Sequence, residues 1–165
     1  IFVLQTRAPL VLRDLALLKD LARQTTVRIS VSITTDRDEI RRRYEPHCET
    51  NPERLAAIRE LRRAGLEVYA TLAPLLPCDP EKLADLAIEA SGRTLIGDPL
   101  HVRSTKRHGA TTREAALEIG RRYREEEWFE PEYQDEIVRR IRAVALAAGL
   151  DFVTGPQGFG YLSRR

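Results

Sequence analysis

The sequence of 165 residues predicts an α/β protein in which short strands alternate with amphipathic helices. Three observations predict this class. Apolar runs of strand length recur along the first part of the chain, each is followed by apolar residues at three- and four-residue spacing, and Pro or Gly marks most junctions. Alternation at this spacing indicates a parallel sheet with right-handed crossovers.

Four strands are expected to lie side by side in chain order, at 1–7, 27–35, 66–76 and 93–97. The second strand alternates most clearly, with Val27 and Ile29 on one face and Ser30 and Ser32 on the other. A polar face on an interior strand indicates a wet cleft or a ligand. In parallel folds of this kind the functional site forms at the carboxyl ends of the strands.

The helices between the strands have recognisable start and stop signals. Asn51 and Asp79 each precede a proline, so they are predicted to be N-caps. Gly65 and Gly92 are predicted to end these two helices in the left-handed conformation. Asp36 is predicted to cap a shorter helix between them and the second strand.

The pattern changes after residue 100, and we expect residues 1–100 to hold the strand–helix units and residues 101–165 to form a helical extension. Thr111 and Glu114 have capping-box spacing, which predicts a helix to about residue 127. A second helix is expected from Glu130 to Gly149. The remaining features are a basic polar loop at 101–109, a short strand at 152–153 and a glycine-rich tail at 155–161.

Composition excludes several classes of protein. The net charge is only +2, which gives no electrostatic case for binding nucleic acid or a membrane surface. No apolar run approaches the ~20 residues that a membrane span needs. Cys48 and Cys78 are predicted to be free thiols, which is typical of a cytoplasmic protein.

Four segments carry a resemblance to a known enzyme family. In chain order they are QTRAPLVLRDLALL (5–18), VRISVSITT (27–35), YEPHCETNPERLAAIRELRRAGLEV (44–68) and TLAPLLP (71–77). Together they resemble the radical S-adenosylmethionine enzymes, specifically the spore photoproduct lyase-like group often called DNA repair photolyases. The resemblance implies a partial (β/α) barrel, here followed by the helical C-terminal extension. It also implies a cofactor pair, S-adenosylmethionine and a [4Fe–4S] cluster, that generates a 5′-deoxyadenosyl radical.

The cluster ligands of that family are not found in this sequence. The family places a Cys-x3-Cys-x2-Cys loop in the first third of its barrel, and two cysteines 30 residues apart cannot form it. We therefore expect the chain to correspond to the third strand of the barrel onward. Residues upstream of Ile1 are expected to be missing, and the chain as given is expected not to be catalytic.

The resemblance assigns S-adenosylmethionine-binding roles to five residues. Thr6 and Arg7, at the end of the first strand, are expected near the cofactor. Ser32 is expected to bond its ribose or carboxylate, while Ser30 only lines the interior. Arg54 is expected to point toward Ser32 and to pair with the methionine carboxylate through its planar guanidinium. The backbone at Leu76 is expected near the adenine.

Other readings of the sequence stay open. One is an unrelated β/α-barrel enzyme that binds a phosphorylated metabolite, with Gly155–Gly160 as its phosphate loop; the other is a non-catalytic α/β binding module. The substrate is unknown. Nucleic acid is possible but not favoured, because the basic stretch Arg103–Arg107 has no neighbouring aromatic residue, and we expect Arg103, Lys106 and Arg107 to line one edge of the cleft. His47-Cys48 is interpreted as loop, and Trp128-Phe129 as packing of the helical tail.

Overall fold

A computed structural model describes residues 1–104 and 112–164. Its five strands are β1 (Phe2–Thr6), β2 (Val27–Ser32), β3 (Glu67–Leu75), β4 (Leu95–Pro99) and β5 (Phe152–Thr154). Its α-helices are α1 (Leu15–Ala22), α2 (Asp38–Tyr44), α3 (Asn51–Arg63), α4 (Pro80–Ser91), α5 (Ala115–Tyr123), α6 (Pro131–Ala147) and α7 (Gly155–Tyr161), with 3₁₀ turns at Pro9–Asp14 and Glu126–Phe129. None of the helices in these described ranges has the length and apolarity to cross a bilayer.

The sheet is parallel throughout, and its strand order β1-β2-β3-β4-β5 follows the chain. This confirms the predicted mixed α/β class, the parallel pairing and the order of the strands. The predicted stop of the fourth strand at Gly97 is wrong, because β4 continues through Asp98 and Pro99, with Pro99 in register with Leu75. The sheet also continues beyond residue 100, since β5 pairs with β4.

The two faces of the sheet differ in chemistry, as the alternation in β2 predicted. Ile29 and Val31 are fully buried in the main core, which lies between the sheet and the crossover helices. The opposite face carries Ser30, Ser32 and Thr71, which is in register with Ser32. The apolar face stabilises the fold by removing Val, Ile and Leu side chains from water, and the polar face is left for the candidate site.

The glycine-rich tail forms a helix, which the sequence analysis did not predict. Helix α7 packs against β4 and β5 on the polar face. Leu162, which directly follows α7, lies in a small apolar cluster with Tyr69 and Ile96. The centres of the Tyr161 and Tyr69 rings are 5.9 Å apart in an edge-on arrangement. Gly158 passes so close to the Val153 carbonyl that a Cβ would lie 2.6 Å from its oxygen, so the glycine is required by packing.

Two of the predicted N-cap residues, Asn51 and Asp36, do not cap their helices. The N-cap of α3 is Thr50, whose side chain accepts from the Glu53 amide while Glu53 bonds back to the Thr50 amide, forming a capping box. Asn51 instead donates to the Thr35 carbonyl at 2.7 Å and so ties α3 to the end of β2. Asp36 does not cap α2; it accepts from the Asp79 amide at 2.9 Å.

Other helix ends agree with the sequence. Asp79 caps α4 by accepting from the Lys82 amide, and Gly65 and Gly92 adopt positive φ angles of 81° and 63°. Helix α6 begins at Pro131 and is followed by Gly149 at φ 71°.

Helix α5 is shorter than predicted. It ends at Tyr123 rather than near residue 127, because Arg124 turns the chain at φ 59°. Trp128 and Phe129 then pack into the main core, as predicted. The predicted capping residue Thr111 lies outside the described residues, and Glu114 accepts from Ser104 instead.

Candidate functional site

Two cavities open at the carboxyl ends of the strands and meet at Arg7. The outer cavity has a volume of about 490 Å³ and is lined by Arg7, Tyr44, Glu45, Pro46, His47, Cys48, Pro74, Leu76, Thr112, Arg113, Ala115, Ala116 and Ile119. The inner cavity has a volume of about 230 Å³ and lies on the polar face of the sheet, lined by Gln5, Arg7, Ser30, Ser32, Thr71, Ala73 and Phe159. Because Arg7 belongs to both, its guanidinium is the charged group at their junction.

A single carboxylate stands between two arginines at this junction. Glu45, only 5% exposed, has one oxygen 3.0 Å from Arg7 Nη1 and the other 2.9 Å from Arg54 Nη2. Thr34 donates its hydroxyl to the second oxygen at 3.0 Å. The Arg7 contact is not aligned as a hydrogen bond, so its attraction is chiefly electrostatic. One negative charge therefore faces two positive charges, and the site keeps a net positive charge.

Arg54 is fully buried, so it is not one of the solvated arginines common on helix surfaces. As expected, its side chain reaches Ser32, to whose carbonyl Nη1 donates at 3.2 Å. Nε donates to the Glu49 carbonyl at 3.0 Å, and Nη2 donates to Glu45. Each guanidinium nitrogen thus has a protein acceptor. The carboxylate-binding role of Arg54 stays a prediction, while Arg7, 44% exposed, has a guanidinium that a ligand can reach directly.

The hydroxyl groups on the polar face divide into paired and available ones. Ser30 and Thr71 are buried and share a hydrogen bond, which agrees with the lining role given to Ser30. The Ser32 hydroxyl and the Gln5 amide make no side-chain hydrogen bond to any other described residue, although both residues line the inner cavity. These two groups are available to a ligand.

The remaining two predicted binding residues are placed differently from each other. The Thr6 hydroxyl accepts from the Ala8 amide at 3.0 Å and so stabilises the turn after β1. Thr6 lines neither cavity. Leu76 is buried, donates its amide to the Thr34 carbonyl and lines the outer cavity. Their roles toward a cofactor stay predictions.

The turn after α2 contributes more than the sequence indicated. His47 and Cys48 form a loop, as interpreted, but both line the outer cavity. Arg41 holds this loop by donating to the Cys48 carbonyl at 2.6 Å. Burial raises the pKa of the other thiol, Cys78, well above its usual range, and nearby Asp36 adds to the effect. Cys78 is therefore a protonated core residue rather than a nucleophile.

Helix α5 forms the far wall of the outer cavity, which the sequence did not predict. Glu125 anchors it by accepting from Arg43 at 2.8 Å and from the Tyr44 hydroxyl at 2.9 Å. The Arg43 guanidinium also lies 4.0 Å from the centre of the Tyr123 ring. Burial, followed by the hydrogen bond to Glu125, raises the pKa of Tyr44. No local sequence signal links α2 to Glu125, because the two lie about 80 residues apart.

The strand end at β4 holds a buried pair. Asp98 and His101 are each 4% exposed, and their side chains approach to 3.3 Å. His101 is thus buried, although the sequence predicted that it begins a polar loop. Arg103 is exposed, while Lys106 and Arg107 lie outside the described residues, so the predicted place of these three residues at the cleft edge stays a prediction.

Comparison with known proteins identifies sequence relatives and a solved structure with a similar fold. No family model matches the sequence. The chain is 32% identical to proteins of Mycobacterium bovis and Mycobacterium tuberculosis that are named only as uncharacterized, with 82% of this chain and 44% of each relative covered. A protein of Acidianus two-tailed virus, also named as uncharacterized, is 30% identical over 62% of this chain and 36% of its own. The chain therefore spans less than half the length of these relatives.

A mutant of spore photoproduct lyase has a similar structure, with a TM-score of 0.60 and 19% identity over 93% of this chain and 51% of the lyase. At that identity the likeness concerns the fold alone. It agrees with the partial β/α-barrel architecture of the parallel sheet.

Proposed function

We propose that this chain forms the S-adenosylmethionine-binding strand ends of a radical enzyme related to spore photoproduct lyase. The observation that carries the proposal is Arg7, an accessible guanidinium at the junction of a mainly apolar cavity and a hydroxyl-lined cavity. S-adenosylmethionine combines an apolar adenine, a hydroxylated ribose and a carboxylate. The fold likeness to spore photoproduct lyase supports the same assignment.

The residues around the junction suit the parts of this cofactor. Leu76 and Pro74 offer apolar surface in the outer cavity for the adenine. The free hydroxyl of Ser32 can both donate and accept, as a ribose requires. Arg7 binds the methionine carboxylate by two parallel N–H bonds. Arg54 pairs with Glu45 and so fixes the position of that carboxylate beside Arg7. A direct bond from Arg54 to the methionine carboxylate stays a prediction.

The [4Fe–4S] cluster does not fit this chain. The sequence has two cysteines where such a cluster needs three thiolates. In residues 1–104 and 112–164, no group of three His, Cys, Asp or Glu side chains is arranged to hold a metal ion. Any cluster ligands would belong to additional sequence of the kind that the longer relatives contain. When bound beside such a cluster, S-adenosylmethionine supplies a 5′-deoxyadenosyl radical in these enzymes.

Calorimetry with the full chain tests the cofactor assignment. We expect S-adenosylmethionine to bind, and 5′-methylthioadenosine, which lacks the amino-acid part, to bind more weakly. Arg7→Gln removes the charged hydrogen bonds and is expected to weaken S-adenosylmethionine by roughly tenfold to a hundredfold. The same change should leave 5′-methylthioadenosine binding unaltered.

Arg13→Gln is the matched control, because Arg13 is 69% exposed and, among the residues that the structure describes, pairs only with its neighbour Asp14. Absence of S-adenosylmethionine binding to the unmodified chain would reject the cofactor. Equal losses in Arg7→Gln and Arg13→Gln would reject the role of Arg7.

The two alternatives have less support. A phosphate loop after a late strand would have to use α7, but its seven residues are short and Gly158 is explained by packing on Val153. A non-catalytic binding module remains consistent with the missing cluster ligands. Binding of S-adenosylmethionine without turnover, in a protein that also carries a reconstituted cluster, would favour that module.

A further inference from the structure

We propose that helix α7 is a hinged cover on the polar face of the sheet. It opens as a unit while the main core stays folded, and a ligand in the inner cavity holds it closed. The opening itself does not depend on the proposed function. The effect of the ligand rests on that function, because the proposed function assigns the Ser32 hydroxyl in this cavity to the ribose of the cofactor.

The apolar residues beneath α7 form a cluster of their own. Tyr69, Ile96 and Leu162 are buried in it, and the partly buried Phe159 and Tyr161 pack around them. These five residues do not belong to the main core, which lies on the opposite face of the sheet. Because the sheet separates the two clusters, detaching α7 breaks apolar contacts only in the small one. A segment packed in this way opens at a lower free energy than global unfolding requires.

Helix α7 has little stability of its own. It is seven residues long, and its three glycines and Pro156 have low helix propensity. At its start Gly155 adopts a φ of 60°, and a Cβ on this residue would meet no atom of the described residues within 4 Å. Packing in that part of the chain therefore leaves Gly155 unconstrained, and glycine tolerates wide changes in φ. These properties suit Gly155 to be the hinge between β5 and α7.

Arg28 fastens the far end of α7 to the sheet. Its Nη1 donates to the Leu162 carbonyl at 3.0 Å and to the Arg164 carbonyl at 2.7 Å, while its Nε donates to Glu67 at 3.0 Å. Glu67 lies across from Arg28 on β3 and also accepts from the Tyr69 hydroxyl. A cation beside the last carbonyls of a helix is favourable to its dipole. The side chains of Arg28 and Glu67 are 18% and 25% exposed, so water reaches this end of α7 and replaces the bonds when the helix opens.

The polar face of β2 connects this end of α7 with the inner cavity. Arg28 and Ser32 lie on the same side of the strand, and Ser32 lines the inner cavity together with Phe159 of α7. A ligand that fills this cavity contacts Phe159 only while α7 is closed. Contacts that exist in one conformation alone shift the population toward that conformation. A ligand in the inner cavity is therefore expected to suppress the opening of α7.

Hydrogen exchange followed by NMR on the full chain tests whether α7 opens by itself. We expect the amides of Gly160 and Tyr161 to be protected, yet to exchange at least about tenfold faster than the amide of Ala87, which is fully buried in α4. Arg28→Gln removes charged hydrogen bonds and should speed the two α7 amides by roughly tenfold to a hundredfold. Phe159→Ala removes packing from α7 itself and should act in the same direction.

Ile58→Val is the matched control, because Ile58 is fully buried in the main core. It should speed exchange of Ala87 about twofold to tenfold through easier global unfolding, and leave Gly160 and Tyr161 unchanged. Equal acceleration of all three amides would show that α7 opens only when the whole chain unfolds. That result, unprotected α7 amides in the parent chain, or α7 rates that neither Arg28→Gln nor Phe159→Ala changes would overturn the inference.

Saturating S-adenosylmethionine, with binding measured by calorimetry, tests the effect of a ligand. We expect it to slow the amides of Gly160 and Tyr161 by at least about fivefold, because the bound form is the closed one. Slower exchange of Ala87 with unchanged α7 rates would show that the ligand binds open and closed forms alike, and would overturn the coupling. Absence of S-adenosylmethionine binding would reject the proposed function and the coupling with it, while the ligand-free rates still decide whether α7 opens by itself.

Discussion

Glu45 is the residue on which the charged part of the site depends. It is the ionised partner of Arg54, which is fully buried, and it also attracts the accessible Arg7. A buried guanidinium without a carboxylate would be strongly unfavourable, because its hydration is lost without compensation. The arrangement therefore couples the stability of the chain to the position of the residue proposed to bind the ligand.

We predict that Glu45→Gln lowers the free energy of unfolding by about 3–5 kcal/mol, as expected when one partner of a buried ion pair is removed. Denaturant titration followed by circular dichroism measures the change. Glu89→Gln is the control, because Glu89 is 59% exposed and its pair with Arg59 should contribute at most about 1 kcal/mol. Similar small losses in the two variants would show that Glu45 does not compensate a buried charge.

Sequence reasoning reached some of these residues and missed others for a physical reason. Arg54 and Ser32 could be placed together, because the resemblance to the radical S-adenosylmethionine enzymes assigned both residues to one cofactor. Glu45 and Glu125 could not be identified, because their importance comes from partners brought together by folding. A local sequence pattern does not show which arginine a carboxylate will contact after folding.

At the scale of elements, propensity and alternation predicted the strands and most helices. The exceptions are segments whose conformation depends on tertiary contacts. Helix α7 contains three glycines and a proline, which have low helix propensity. It forms because Gly158 can approach the Val153 carbonyl and because Arg28 binds the carbonyls beyond its end. Neither contact is visible in the tail sequence.

The start of α3 gives a test at this scale, since the sequence favoured Asn51 as the cap and the structure has Thr50. We predict that Thr50→Ala destabilises the chain by about 1 kcal/mol through loss of the capping bond to the Glu53 amide. Thr50→Ser keeps the hydroxyl and should retain most of the stability. Thermal unfolding of the three proteins measures the difference. A Thr50→Ala protein as stable as the parent would show that Asn51, or water, provides the cap.

At the scale of the whole molecule, the sheet has one open edge of particular interest. Strand β1 pairs with β2 on one side and with no other strand among the described residues on the other. Phe2 is 39% exposed at this edge. An uncharged and exposed edge strand is a template for further strand pairing. The relatives, which are more than twice as long as the aligned part, have additional chain that could supply such a strand.

Hydrogen exchange followed by NMR tests this expectation residue by residue. The Phe2 amide bonds the Thr26 carbonyl at 2.8 Å, so by alternation Leu4 also faces β2, whereas the amides of Val3 and Gln5 face the open edge. In the chain as given we predict that Val3 and Gln5 exchange rapidly and Leu4 slowly. In a protein of the relatives' length, Val3 and Gln5 should become protected by at least about tenfold, because a new strand would cover them. Protection of Val3 and Gln5 that rises with the concentration of the chain would instead show pairing between copies. Rapid exchange of both amides in the longer protein would show that this edge stays open and that the partial barrel is not extended at β1.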